Sequence, residues 1–244
     1  MSHQAHRGSA SQDKRLFAAS QQPKLRAAAV DLCWLLDRDY ALRSALELVG
    51  NRHSLVTRQR MALSRYACAE NDARHRQLHC LDFPDSGSLR GQELWIDGYN
   101  VLTLLESALG GGIVLLCRDG CCRDIAGIHR RYRHVDETIP VLQLVGEVTT
   151  AWGVSGCRWW LDKPVSNSGR LKTVILENAR ARGWNMEVEV VFSPDHALSH
   201  TDHVIATSDG IVLDRCQRWV NLAREVVLKH IPKAYLVDFS ETAA

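Results

Sequence analysis

The sequence predicts an α/β domain built on a mainly parallel sheet, preceded by a small all-helical region. Three observations predict it. From about residue 93, short apolar stretches alternate with helix-length segments, the spacing of parallel strands joined by crossover helices. Before that point apolar residues recur at steps of three and four. Between the two textures lies Phe83-Pro84-Asp85-Ser86-Gly87-Ser88, a run of turn formers that reads as a linker. The implied organisation is a flexible, Ser/Gln/Ala-rich tail at 1–22, a helical region at 23–85 and an α/β domain at 93–244.

In the helical region, Leu25, Ala28, Ala29, Leu32, Leu35 and Leu36 share one helical face. Ala41, Leu42, Ala45, Leu46 and Val49 continue the same period until Gly50-Asn51 stops it. A second helix is expected from about Val56 to Glu70, with Ser54 as its N-cap. These apolar faces are too few for an independent core in about 70 residues. They should be covered by the C-terminal domain or by a second copy of the chain in a homo-oligomer.

Beyond the linker, strands are expected at Glu93–Ile96, Ile113–Cys117, Cys157–Leu161, Glu187–Phe192 and Val204–Thr207. Helices are expected at Asn100–Leu109, Thr138–Trp152, Leu171–Arg182 and Gln217–Lys229, with Gly183 ending the third.

Composition narrows the function classes. Apolar residues make up 45% and charged residues 24%, which suits a globular chain and excludes a collagen-like or wholly disordered one. No apolar run is long enough to cross a membrane, and Met1 to Gln22 lacks the apolar core of a secretory signal. The eight cysteines therefore read as reduced thiols of a cytoplasmic protein. The net charge of +2 names no partner. Arginine greatly outnumbers lysine, which suits phosphate recognition but also tracks GC-rich coding.

Ligands of an open parallel sheet bind at the carboxyl ends of its strands. Asp97, Asp162, Asp195 and Asp209 each follow an apolar strand. Any one of them could simply cap the next turn. Four at one sheet edge would repel one another unless a cation sat among them, and oxygen-only donors favour Mg²⁺ or Mn²⁺. Such an ion polarises a phosphodiester and activates water.

Trp95-Ile96-Asp97-Gly98-Tyr99-Asn100-Val101-Leu102 resembles the opening strand motif of the PIN-like and NYN nuclease superfamily. Val204-Ile205-Ala206-Thr207-Ser208-Asp209 resembles the late strand of that group. More closely, the chain resembles an uncharacterised prokaryotic family that pairs a helical N-terminal region with a PIN-like domain. Leu48-Val49-Gly50-Asn51-Arg52-His53, Cys117-Arg118-Asp119-Gly120 and the segment Asp162 to Gly169 carry that likeness. The resemblance implies a three-layer PIN-like fold, with Asp97, Asp162 and Asp209 as metal-site and catalytic carboxylates. Asn100 and Ser208 would orient ligands. The fourth acidic position falls to Asp195 or Asp202, and Asp195 is preferred because it stands directly at a strand end.

Asp162-Lys163-Pro164-Val165-Ser166-Asn167-Ser168-Gly169 runs from a strand into a helix. A helix N-terminus there could hold a phosphate with Lys163, Ser166, Asn167, Ser168 and Arg170, or Ser168 could be an ordinary N-cap. Arg118, Arg123, Arg130, Arg131 and Arg133 form one basic stretch, and Arg52, Arg58, Arg60, Arg65, Arg74 and Arg76 another. Either could follow an RNA backbone or be a solvated face. Asp119-Gly120 and Arg123-Asp124 could instead form a salt-bridged loop beside the site. The spacing of Cys117, Cys121 and Cys122 fits core thiols better than zinc ligands, and His196, His200 and His203 make a weak zinc motif. The leading expectation is a Mg²⁺- or Mn²⁺-dependent nuclease acting on RNA. A non-catalytic phosphate or nucleic-acid module and a small-molecule phosphohydrolase are the alternatives.

Overall fold

Parallel strands cannot be closed by a tight hairpin, so each needs a crossover that returns the chain to the starting edge. That requirement shapes the C-terminal part of the protein, whose computed structural model describes residues 10–81, 89–125, 132 and 134–240. The linker Phe83–Ser88, together with His129, Arg130, Arg131 and Arg133, lies outside the described residues.

The N-terminal region contains α1 (Asp13–Leu16), α2 (Gln22–Leu36), α3 (Leu42–Arg52), α4 (Thr57–Tyr66) and α5 (Glu70–His79). Then follow β1 (Glu93–Asp97), α6 (Gly98–Leu109), β2 (Ile113–Leu116), β3 (Cys122–Asp124), α7 (Thr138–Ala151), β4 (Gly156–Asp162) and α8 (Ser168–Arg182). The chain continues through β5 (Met186–Val191), α9 (Pro194–Ser199), β6 (Val204–Ala206), α10 (Gly210–Leu213), β7 (Trp219–Val220), α11 (Leu222–His230) and β8 (Tyr235–Asp238). The main sheet has the order β5-β4-β1-β6-β7, and every neighbouring pair is parallel. A second sheet, β3-β2-β8, joins β2 to β8 in parallel and to β3 antiparallel.

The helical region has no separate core. Leu25, Leu32, Val49 and Leu63 share one buried cluster with Ile113, Leu115, Val237 and Phe239 of the second sheet. Val114, between Ile113 and Leu115, belongs instead to the cluster containing α6 and the main sheet. Strand side chains alternate faces, so a strand covered on both sides reads as a continuous apolar run. Of the two covers expected for the N-terminal helices, the C-terminal domain supplies one. Leu42, expected in that buried face, is instead 40% exposed.

One face of the main sheet packs on α6, α7, α8 and α11. The other carries the short helices α9 and α10 and the end of α5, and Arg158 and Trp160 on β4 stay half-exposed there. The third layer is thus thinner than expected from the sequence.

Several sequence expectations need correction. Residues 10–22 are not a loose tail: Phe17 is buried, and the fully buried Asp13 takes two hydrogen bonds from Arg58, at 3.0 and 2.9 Å. A charge pair that forms only in the folded chain leaves no apolar period to read. The continuous period from Leu25 to Val49 is two helices, because Asp39 takes a left-handed conformation (φ 62°) and folds α3 back on α2 against the same core. Ser54 is also left-handed and does not cap α4; Val56 holds that position, and Glu70 opens α5 rather than ending α4. The expected final helix begins only at Leu222, because Trp219 and Val220 add a strand beside β6. Strand β8 adds a further strand beside β2, in a segment where the sequence predicts none.

Replacing Asp13 with Ala leaves the Arg58 guanidinium without its buried partner. The expected result is a loss of about 2–4 kcal/mol in urea unfolding; no loss would show that residues 10–22 do not pack on the rest.

Candidate functional site

Strand polarity sets the site. The register pairs Asp97 with Trp160 two residues before Asp162, and Asp162 with Val191 four residues before Asp195. On the other side of β1, Ile96 pairs with Ala206, three residues before Asp209. The carboxyl ends of β5, β4, β1 and β6 therefore bring Asp195, Asp162, Asp97 and Asp209 to one edge. All four line one cavity of about 480 Å³, together with Asn100 and Ser208. Asp202 precedes β6 and so lies at the opposite end of the sheet, exposed and away from this cavity. Of the two competing residues, Asp195 is the one at the site.

The turn from β1 into α6 requires Gly98. A Cβ there would lie 2.5 Å from a Leu161 methyl and 2.9 Å from the Trp160 carbonyl oxygen. Only glycine lets this backbone approach β4 so closely. Asn100 then reaches the β6 end, where its Oδ1 accepts from the Ser208 N–H at 2.7 Å and hydroxyl at 2.8 Å. The Thr207 hydroxyl donates to Asp97 Oδ2 at 2.6 Å and accepts from the Asp209 N–H at 3.0 Å. Asp209 Oδ1 accepts from the Ile211 and Val212 N–H groups at the start of α10. The Asp-Gly-Tyr-Asn and Ala-Thr-Ser-Asp segments thus interlock.

Electrostatics follow from this crowding. Burial lifts the Asp97 carboxyl to about 7; the Thr207 hydrogen bond opposes the rise, and Asp209, Asp195 and Asp162 add to it. Burial and Asp195 raise Asp162, while burial and Asp209 raise Asp195. The donors suit a hard divalent cation, since carboxylate oxygens are what Mg²⁺ and Mn²⁺ prefer. Among the described residues, no group of three or more His, Cys, Asp or Glu side chains is arranged to hold a metal ion. Asp97 is turned toward Thr207 and Asp209 toward the start of α10.

A second network braces the edge. Asp119, with no exposed surface, accepts from Arg76 Nη1 at 2.7 Å and from Arg123 at 2.9 and 2.6 Å. Arg123 Nε donates to the Ser208 carbonyl at 2.7 Å, and Arg76 Nε to Asp214 at 2.6 Å. Burial works to raise the Asp119 pKa, but the two guanidiniums outweigh it and hold the carboxyl at about 2. The salt-bridged loop expected at Asp119 and Arg123 is present; its partner Arg76, on α5, had no signal in the sequence beyond being one arginine of many.

The other expected binding residues go elsewhere. Arg118 is clamped by Asp37, Glu70 and the Cys68 carbonyl, so it ties α2 and α5 to the second sheet and does not line the cavity. Arg123 lines it but is committed to Asp119 and Ser208. The Ser168 hydroxyl is buried among the Asp162 and Val165 carbonyls and the Tyr99 hydroxyl, so it organises its own loop. Asn167 donates to the Tyr132 carbonyl and, with Arg170, borders a different, small hollow of about 40 Å³. Lys163 stacks over Phe192 at 4.6 Å, and Ser166 is exposed. The α8 N-terminus and the carboxylate cavity are thus separate places. Cys117, Cys121 and Cys122 are buried core thiols, and His203 stacks on Trp95.

The family described as "Domain of unknown function (DUF5616)" matches residues 86–225, more than half of the chain and the whole carboxylate edge. The chain belongs to the DUF5616 family. Residues 24–78 match a further family, "Protein of unknown function (DUF434)". The DUF5616 chain is also 27% identical over 189 residues to "Uncharacterized protein MJ0935" of Methanocaldococcus jannaschii, an alignment covering 78% of this chain and 88% of the relative. No solved structure matches. Among the described residues no helix is long and apolar enough to cross a membrane.

Two outcomes test this electrostatic picture. Asp97 is raised from 3.8 to about 7, so the folded state holds a proton that the unfolded chain releases above about pH 4. Stability therefore falls as pH rises from 4 to 7, and the cost is complete above 7. In EDTA at pH 8, Asp97→Asn should raise unfolding stability by about 2–4 kcal/mol, and the gain should vanish near pH 4. Asp119 has the opposite sign: its contribution is complete above 3.8 and is lost as pH falls toward 2. Asp119→Asn should cost about 3–5 kcal/mol at pH 7, with the gap to wild type closing in acid; a pH-independent gap would refute the assignment.

Proposed function

We propose that this DUF5616 chain is a PIN-like nuclease that depends on Mg²⁺ or Mn²⁺ and acts on RNA. One observation carries the reading: four carboxylates, from four neighbouring parallel strands, line a single cavity, where burial and neighbouring acids raise the pKa of Asp97, Asp162 and Asp195. Anions held this close gain most from a divalent cation, and phosphodiester hydrolysis is chemistry that such a cation serves. Bound there, the ion would polarise the phosphodiester and ease deprotonation of the attacking water. Asp97, Asp162, Asp195 and Asp209 would be its holders. Thr207 sets the Asp97 carboxylate, and Asn100 sets the Ser208–Asp209 turn. The Asp-Gly-Tyr-Asn and Ala-Thr-Ser-Asp segments, which carry the PIN-like resemblance, meet at this edge.

A second reading has its own support. Arg65, an exposed arginine, lines the same cavity and makes no side-chain ion pair among the described residues. That suits a non-catalytic module that grips phosphate on the same fold.

Cleavage of end-labelled single-stranded RNA in Mn²⁺ or Mg²⁺ separates the two. Wild type should cleave, chelator should abolish the activity, and Asp97→Asn should lower it by about 10²-fold or more, a barrier change of roughly 3 kcal/mol. Mn²⁺ should raise the melting temperature of wild type more than that of Asp97→Asn. Cleavage that survives both substitution and chelation would end the metal reading. RNA binding without cleavage would favour the module.

A further inference from the structure

The carboxylate cavity is not made by the α/β domain alone. Part of its wall comes from the helical region, where Ser64 and Arg65 near the end of α4, Ala67, and Leu42 of α3 line it. Three arginines reach the cavity: Arg65, Arg76 and Arg123. Two are engaged, since Asp119 and Asp214 hold Arg76, and Asp119 and the Ser208 carbonyl hold Arg123. Arg65 differs. Its side chain is exposed, and among the described residues it makes no ion pair or side-chain hydrogen bond, while its carbonyl accepts from Arg123 at 3.4 Å and anchors the backbone.

We propose that Arg65 binds a phosphate of the substrate strand, so that the helical and α/β parts form one composite site. This rests on the nucleic-acid reading of the cavity. A polyanion approaching four carboxylates needs positive charge on its outer side, and a planar guanidinium forks onto two phosphate oxygens. The ligand class is a single-stranded RNA phosphodiester backbone, gripped through charge and not base identity.

The experiment uses the full chain and a short fluorescein-labelled single-stranded RNA, in Ca²⁺ and again in EDTA, read by fluorescence anisotropy across a salt series, so that no cleavage is required and wild-type binding is judged in Ca²⁺. Arg65→Ala should weaken binding about tenfold and reduce the slope of log affinity against log salt by about 0.7, one phosphate contact on a single strand. Arg65→Glu should weaken it further, and Arg65→Lys should restore part of the affinity. Arg180→Ala, an exposed arginine on α8, should bind like wild type. Unchanged melting temperatures would show that the variants fold. Affinity within twofold of wild type and an unchanged slope for Arg65→Ala would overturn the proposal, while leaving metal-dependent cleavage and its loss in Asp97→Asn intact. Absence of RNA binding by wild type would overturn it too. Loss of affinity in Arg65→Ala from a wild type that never cleaves would uphold the Arg65 contact and sink the nuclease reading alone.

Discussion

Asp119 sits without solvent between two guanidiniums, Arg76 from α5 and Arg123 from β3, and much of the site depends on that arrangement. A buried charge is tolerated only when its partners are well placed. Here each partner is also tied to something else. Arg123 holds the Ser208 carbonyl, and Arg76 holds Asp214 beyond α10. The network therefore links the helical region, the second sheet and the end of β6. Through Ser208 it reaches Asn100, and through the Thr207–Asp97 bond it reaches the end of β1. The carboxylate edge is braced from three sides before any ligand enters.

That bracing works against a strong opposing force. Burial and neighbouring carboxylates raise the pKa of Asp97, Asp162 and Asp195, and Asp97, the most buried, is raised most plainly. Left to hydrophobic burial and packing alone, the chain would do better with a neutral residue at position 97. A buried carboxylate with a strongly raised pKa in a cavity marks a candidate functional site. Gly98 belongs to the same argument, since it lets the Asp97 turn press against β4, where a side chain would clash with backbone.

The two sequence regions are physically one body. The helices cover the second sheet, and the second sheet covers α6, whose first turn leaves from Asp97. Arg118 and the Asp13–Arg58 pair add polar ties across the same boundary. The cavity lies at that seam, so its chemistry comes from one region and its outer wall from the other.

Much of the frame was legible in the residues. The strands expected at Glu93–Ile96, Cys157–Leu161 and Glu187–Phe192 are present, and the carboxylate after each was readable because parallel strands all end at the same edge. That logic also placed Asp209, and it preferred Asp195 over Asp202 because Asp195 stands directly at a strand end. Long-range pairing was not legible. Whether Arg118 or Arg65 would face the cavity depended on which acids stood nearby, and those acids, Asp37 and Glu70, lie far away in the chain. The strands at Trp219–Val220 and Tyr235–Asp238 form only because neighbours offer free edges, and the Asp39 reversal hides within an unbroken helical period. Periodicity and strand direction are local properties, and the sequence by itself determined them: the fold class, the acidic edge and its oxygen-rich character. Charge pairing and edge completion exist only once distant segments meet, so the tertiary structure alone decided which arginines brace the site and which one stays exposed at the cavity wall.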